Sequence, residues 1–306
     1  MRYVFVLVFV CIGLHSQAQD TDEVDRIVSL YPKRFESAQN LATLIKRDFK
    51  NPEQQLKASY SWLIHNVEYD PKEYYNFKFQ YRDLAEKNQK AATSREAMIN
   101  RTLINGKAVC EGYALTLERL CELLGINSYI VRGDTKTRPQ DIGRKFDKNH
   151  MWNVAIIDDE PYLIDATWGA GRYNGKFIKA PTSYYFKTPP DDFIKNHFPE
   201  VFDDAYVNEE ISRVAFSNRP LLIDRSLRLD AISPNEGTIA AKVLKKGLLF
   251  ELPVDDTADI TYSLNGGTQW PVERLEGNRF MITEREKSTS LIIYVNAEPV
   301  IGYKIK

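Results

Sequence analysis

Gly106-Lys107-Ala108-Val109-Cys110-Glu111-Gly112-Tyr113-Ala114 is the stretch around which the chain is organised. It opens a helical run, Leu115 to Leu124, in which Ala114, Leu117, Cys121 and Leu124 recur at helical spacing on one apolar face. Gly125 stands where a C-terminal cap is expected. Cys110 therefore falls just before or in the first turn. Unsatisfied backbone N–H groups and the positive end of the helix dipole favour a thiolate there. That makes Cys110 a candidate nucleophile and raises the question of a base.

The chain has 306 residues, 41 Lys and Arg against 42 Asp and Glu, and a formal net charge of −1. That length suits two domains. Balanced charge gives no broad attraction to nucleic acid, and none is expected as a partner. Arg2, an apolar run from Val4 to Leu14, and Ser16-Gln17-Ala18 have the form of a secretory leader cleaved after Ala18. The expectation is an exported protein (periplasm, cell surface or medium) with no stable membrane anchor once the leader is gone. Cys11 leaves with the leader, so Cys110 and Cys121 remain. On one helix they stand beyond disulfide reach. Cys121, on the apolar face, is explained as a small buried hydrophobe, whereas Cys110 is not.

In chain order, residues 21–50 read as helix with an Ala38, Leu41, Ile45 and Phe49 stripe. Asn51-Pro52-Glu53-Gln54 has the form of a helix start, with Asn as cap and Pro in the first position. Trp62 and His65 on the following helix read as packing or surface residues. Lys72 to Gln89 reads as loop with room for a short helix, and Thr93-Ser94-Arg95-Glu96 as a capping box for a helix to about Leu103. Ser128 to Gly133 reads as a strand. Asp134 to Asn149, polar and rich in Lys and Arg, reads as a solvated loop placed where it could act as a lid.

Asn149-His150-Met151-Trp152-Asn153-Val154-Ala155-Ile156-Ile157 is an apolar strand that begins at a histidine. A turn at Asp158-Asp159 leads to a second expected strand, Tyr162 to Trp168, and so to a tight hairpin. If those two aspartates form the loop, Trp152 lies opposite Asp165. His150 is then a diagonal neighbour of Asp165 on the same face, about 7 Å away between backbones. A slip of one residue would separate them. Cys110, His150 and Asp165 are thus the candidate nucleophile, base and orienting carboxylate, with N–H groups at the helix start as part of an oxyanion hole.

With these motifs in view, the sequence resembles the transglutaminase-like superfamily of papain-like cysteine enzymes. The resemblance rests on Lys107 to Ala114, Asn149 to Asn153 and Leu163 to Gly171. Ser61 to Asp70, Tyr184-Tyr185-Phe186 and Asn196 to Glu200 narrow it to the kyphoscoliosis-peptidase branch. It covers roughly residues 25 to 205. It implies an α+β papain-like core, acyl transfer on peptide or protein amides through Cys110, His150 and Asp165, and no metal or organic cofactor. His197 reads as a packing or hydrogen-bonding feature of the domain's end.

From about Ser212, short apolar stretches recur every 8 to 12 residues between turn signals, the pattern of a small β-sandwich. The expected division is a leader over 1–18, a cysteine-enzyme domain over 19–208 and a β-sandwich accessory domain over 209–306. The expected function is an exported cysteine hydrolase or acyltransferase. The alternative is a catalytically silent interaction module that keeps the fold.

Overall fold

The computed structural model describes residues 23–73, 84–224, 226–283 and 287–306. The expected leader lies outside the described residues, as does part of the Lys72–Gln89 stretch. The fold class is α+β. By compactness the chain falls into two units, described separately. The first runs to Arg132 and resumes over His150–Thr188; the second gathers Gly133–Asn149 and Pro189–Lys306.

The first unit is built around the cysteine helix. Residues 23–28 are helical, and a break over 29–37 follows where one continuous helix was expected. Pro32 lies in that break, and its carbonyl accepts the indole N–H of Trp62 at 2.9 Å. Ser37 then caps α1 (Ala38–Asp48), whose Leu41, Ala42 and Ile45 are fully buried. Helix α2 (Pro52–Asn66) starts as its sequence dictates, with Asn51 Oδ1 accepting from the Glu53 N–H at 2.8 Å. Helix α3 (Leu84–Asn105) runs straight through Thr93–Glu96, so no helix begins at the capping-box motif. Helix α4 (Cys110–Leu124) ends on Gly125 with φ 78°, a left-handed cap. It packs against α1, α2 and α3.

Strand β1 (Glu68–Tyr69) pairs in parallel with β2 (Lys107–Ala108), which feeds directly into α4. The body of β3 (Asn127–Thr135), with β4 (His150–Ile157) and β5 (Glu160–Ile164), forms a sheet in the order β5-β4-β3. The other face of α4 lies on β4. A short helix α5 (Ala166–Ala170) follows, then a hairpin of β6 (Gly171–Asn174) and β7 (Lys176–Lys179).

In the second unit, residues Gly133 to Thr135 pair antiparallel with β8 (His197–Pro199). His197 is buried and stacks on Phe193 with ring centroids 4.1 Å apart, which agrees with a packing role. The Asp134–Asn149 segment is a solvated loop mainly in its second half, where Gly143, Lys145, Asp147, Lys148 and Asn149 are exposed. Asp134, Thr135, Lys136, Asp141 and Ile142 are buried. Each charge has a partner: Lys136 Nζ donates to the Phe216 and Arg219 carbonyls at 2.7 and 2.9 Å. Asp141 accepts from the Thr137 and Arg138 N–H groups, and Asp134 pairs with Arg144.

The β-rich end holds β9 (Leu221–Leu222), β10 (Thr238–Ile239), β11 (Leu248–Glu251), β12 (Ile260–Leu264), β13 (Gln269–Pro271), β14 (Glu273–Arg274), β15 (Arg279–Ile282), β16 (Ser290–Val295) and β17 (Glu298–Ile305). One sheet runs β10-β17-β16-β12-β13 with β9 beside β17, and the other β11-β15-β14. Phe250, Phe280, Tyr262, Ile293 and Tyr303 share a single core between them. The part is not purely β: Ala241–Lys246 is helical, and Leu229–Ala231 forms a single 3₁₀ turn. Among the described residues, no helix is long and apolar enough to cross a membrane.

Candidate active site

The site lies within the first unit, where the sheet edge meets the start of α4. Cys110 is the first residue of that helix, its preceding residue Val109 extended at φ −93°, ψ 177°. The residue is partly exposed. Gly112 allows the turn to sit close to β2 and α3, since a Cβ there would stand 2.8 Å from Ala108 Cβ and 2.9 Å from Thr102 Oγ1. Tyr113 anchors the turn from within, donating its hydroxyl to the Val67 carbonyl at 2.8 Å. Asn153 Nδ2 ties β4 to the same helix through the Ala114 carbonyl at 3.0 Å.

The hairpin register decides the rest. Ile157 pairs with Glu160 and Asn153 with Ile164, with Asp158 and Asp159 as the two-residue loop. Both have positive φ, 52° and 62°, as a type I′ turn requires. Continuing that register sets Trp152 opposite Asp165 and His150 diagonal to it, on the same face. Side chains close the gap: His150 Nε2 and Asp165 Oδ2 are 2.7 Å apart, both groups buried.

Asp165 differs from expectation in one respect. The strand stops at Ile164, and Asp165 is the N-cap of α5. Its Oδ1 accepts from the Thr167 and Trp168 N–H groups at 2.9 and 3.0 Å, and its own N–H donates to the Tyr185 carbonyl at 3.0 Å. The carboxylate is thus held by two N–H groups at Oδ1 and the backbone by a third bond, while Oδ2 faces the imidazole.

Burial alone would push the His150 pKa down. The charge of Asp165, its hydrogen bond, and the Cys110 side chain, also hydrogen-bonded to this imidazole, outweigh burial and raise it above the ordinary histidine value. Nε2 is the nitrogen that Asp165 engages. The structure therefore brings His150 and Asp165 into direct contact, and the Cys110 side chain is among the neighbours that raise the pKa of this imidazole. Cys121, by contrast, is buried in the helix face, and burial pushes its thiol up to about 12.

Sequence reading missed the aromatic surround. Trp168 and Trp152 flank the imidazole, with centroids 5.8 and 6.2 Å from its own. Tyr185 lies edge-on to Trp168 at 5.7 Å. Tyr69 pairs in register with Ala108, two residues before Cys110. The available signal was proximity in sequence: Trp168 follows Asp165 by three positions, within one helical turn.

The model of a family described as the transglutaminase-like superfamily matches residues 39–164. Kyphoscoliosis peptidase of Homo sapiens is 26% identical over 196 residues, 61% of this chain and 27% of that protein. Its Mus musculus counterpart is 28% identical over 152 residues, 48% of this chain and 21% of that protein. The aligned part spans about a quarter of the length of these curated relatives. A solved structure described as a TGase is 18% identical, covers 48% of this chain and 35% of its own, and has a TM-score of 0.29, too low to argue from.

Proposed function

The chain belongs to the transglutaminase-like superfamily, in its kyphoscoliosis-peptidase-like branch, and on that premise we propose that it is an exported cysteine hydrolase or acyltransferase acting on peptide or protein amides. The observation that carries this reading is the 2.7 Å hydrogen bond between His150 and Asp165, with the Cys110 side chain as a further partner of the same imidazole.

In this mechanism the Cys110 proton rests on His150 at Nδ1, and the resulting thiolate attacks the amide carbonyl carbon. The carbonyl π pair moves to oxygen, and N–H groups of the first turn of α4 stabilise that oxyanion. When the intermediate collapses, the C–N bond breaks and the imidazolium gives its proton to the departing amine. A thioester on Cys110 remains. Water or a second amine, deprotonated by His150, then attacks the thioester and regenerates the thiol. Asp165 holds the imidazole in the tautomer that presents Nδ1 to sulfur and favours the charged form that each half-reaction passes through. Proton transfer of this kind contributes roughly 10²–10⁴-fold.

The test is incubation of wild type and Cys110→Ala with a peptide library plus an added amine, followed by mass spectrometry. Cleaved or amine-joined products from wild type alone are expected. Their absence from wild type, or their persistence in Cys110→Ala, would remove the proposal and favour the silent module.

A further inference from the structure

We propose that Tyr69 and Tyr173 form the wall of a substrate subsite beside Cys110. It takes a bulky apolar, preferably aromatic, side chain on the residue that supplies the scissile carbonyl. The inference rests on the preceding reading and names what that same site selects.

Tyr69 occupies the second position of β1, in register with Ala108, and the Asp70 N–H continues the pairing to the Ala108 carbonyl at 3.0 Å. Only Val109 separates Ala108 from Cys110, so Tyr69 stands beside the backbone that delivers the sulfur. Burial, together with the nearby Cys110 and Tyr173, pushes the Tyr69 hydroxyl up to about 12. It stays a neutral phenol at working pH and adds no charge that would repel an apolar group.

Tyr173 comes from β6. Its ring meets that of Tyr69 edge-on, centroids 5.9 Å apart at 61°, and 48% of the residue is open to solvent. Leu30 and Ile104 are the other large hydrophobic side chains of this unit described as similarly exposed. Unlike Tyr173, neither is joined through an aromatic contact to a residue beside Cys110. A ring packed on one neighbour and about half open to solvent can receive a second ring in the offset or edge-on geometry that aromatic pairs prefer.

The hairpin that carries Tyr173 is fixed in place. Lys179 Nζ donates to the Val67 carbonyl at 2.8 Å, next to β1. Ala180 N–H donates to the Ala170 carbonyl at 3.1 Å and Thr182 N–H to the Gly169 carbonyl at 3.0 Å. A Cβ on Gly171, at φ 148°, would stand 2.2 Å from the Ile178 carbonyl oxygen, so glycine lets the hairpin start this close to its partner strand. The hairpin leaves α5 directly, and Asp165 caps that helix. Wall and catalytic groups are thus set by one continuous run, and the subsite is preformed rather than assembled on binding.

The probes are peptidyl chloromethyl ketones carrying Phe, Ala or Glu next to the ketone, with iodoacetamide as a reference that has no peptide. Rate constants for Cys110 alkylation are read by mass spectrometry in wild type, Tyr173→Ala, Tyr173→Phe and Tyr173→Lys. An added aromatic contact of this kind corresponds to roughly a tenfold preference for the Phe over the Ala probe in wild type. Tyr173→Phe should keep that ratio, Tyr173→Ala should bring it within about twofold, and Tyr173→Lys should raise the Glu probe relative to Phe. Each peptide rate is divided by the iodoacetamide rate of the same variant, which removes any change in Cys110 reactivity, such as the Tyr173→Lys ammonium would cause. No preference in wild type, or an undiminished one in both Tyr173→Ala and Tyr173→Lys, overturns the subsite. An iodoacetamide rate indifferent to His150→Ala overturns the underlying catalytic reading instead.

Discussion

His150 and Asp165 meet across a two-residue hairpin, Nε2 to Oδ2 at 2.7 Å, one diagonal step from the register pair Trp152–Asp165. The same carboxylate caps α5 through its other oxygen. One aspartate therefore joins a structural task to an electrostatic one, and substitutions can separate them.

Asp165→Asn keeps an oxygen able to cap, since Asn and Asp cap comparably, but removes the charge. We expect amide turnover to fall on the order of 10²–10⁴-fold with the helix intact. Asp165→Ala should lose the cap as well, at a further cost of about 1 kcal/mol. The pH dependence follows from the raised His150 pKa. A raised value means the folded state holds a proton that the unfolded state releases. The stabilisation is fully present below the unfolded histidine value of about 6.5 and is lost as pH rises through the folded value. Urea unfolding of wild type and Asp165→Asn should therefore differ most below pH 6.5 and converge as the pH is raised. A difference that grows with pH would mean that the imidazole is neutral in the fold.

The two thiols provide a second separation. Cys110 is partly exposed beside an imidazole, whereas Cys121 is buried with its pKa pushed up to about 12. Iodoacetamide at pH 6 to 7 should label Cys110 in the native protein while sparing Cys121, at least tenfold more slowly alkylated by the thiolate argument. His150→Ala should slow the labelling, and Asp165→Ala should slow it less, because the aspartate acts through the histidine. Peptide mapping of the labelled sites reads both, and equal labelling of the two thiols would contradict the pairing.

The local devices were legible in the sequence. Asn51 caps α2, Gly125 closes α4, and Asp158-Asp159 sets a hairpin whose register could be counted from two residues. What escaped depends on distant partners. The capping-box letters at Thr93–Glu96 sit inside α3, where Thr93, Arg95 and Glu96 are exposed and Arg95 pairs with Glu118 of α4. A cap motif on a solvent face competes with a helix that already has its own hydrogen bonds. The break near Pro32 is fixed by the Trp62 indole, 30 positions on. Asp165 ended a strand instead of lying in it because α5, at five residues, is too short to show a helical period. The Asp134–Asn149 run looked like solvated loop because Lys136 finds its partners only at Phe216 and Arg219, some 80 positions on, while Asp134 and Asp141 are paired within the run itself.

Gly169 tests the packing behind the site. A Cβ there would lie 2.2 Å from Tyr60 Oη and 2.8 Å from its Cζ. That hydroxyl is itself held, donating to the Thr182 carbonyl at 2.6 Å. Gly169→Ala should destabilise the chain by about 1–3 kcal/mol through overpacking. Adding Tyr60→Phe, which removes the nearest atom, should recover part of the loss. Thermal unfolding of the single and double variants is the measurement, and simple additivity would show that the two positions do not collide.

Lys136 makes the last prediction, in the second unit. Its ammonium is buried, donates to the Phe216 and Arg219 carbonyls, and lies 4.7 Å from the centre of the Phe216 ring. Burial first, and the charge of Arg219 next, bring its pKa down to about 7; Asp134 and Asp141 oppose the shift, and Arg144 adds to it. A lowered lysine value means that between pH 7 and the ordinary value of about 10.4 the unfolded chain binds a proton that the folded chain has released. Stability from this group therefore rises with pH across that window, by up to about 1.4 kcal/mol per unit. Lys136→Met cannot titrate, so the stability of wild type relative to it should grow from pH 7 towards pH 10. The variant also takes the Lys136 donor from both carbonyls. The Phe216 carbonyl keeps the Arg219 N–H at 3.3 Å, so the cost of about 1–3 kcal/mol falls on the Arg219 carbonyl where water cannot replace the donor. Urea unfolding of both full-length proteins at pH 6.5, 8 and 9.5 separates these effects: the lost hydrogen bonds give an offset common to all three, and the titration gives the slope. A flat difference would show that Lys136 keeps its proton throughout, with the surrounding carbonyls and carboxylates outweighing its burial.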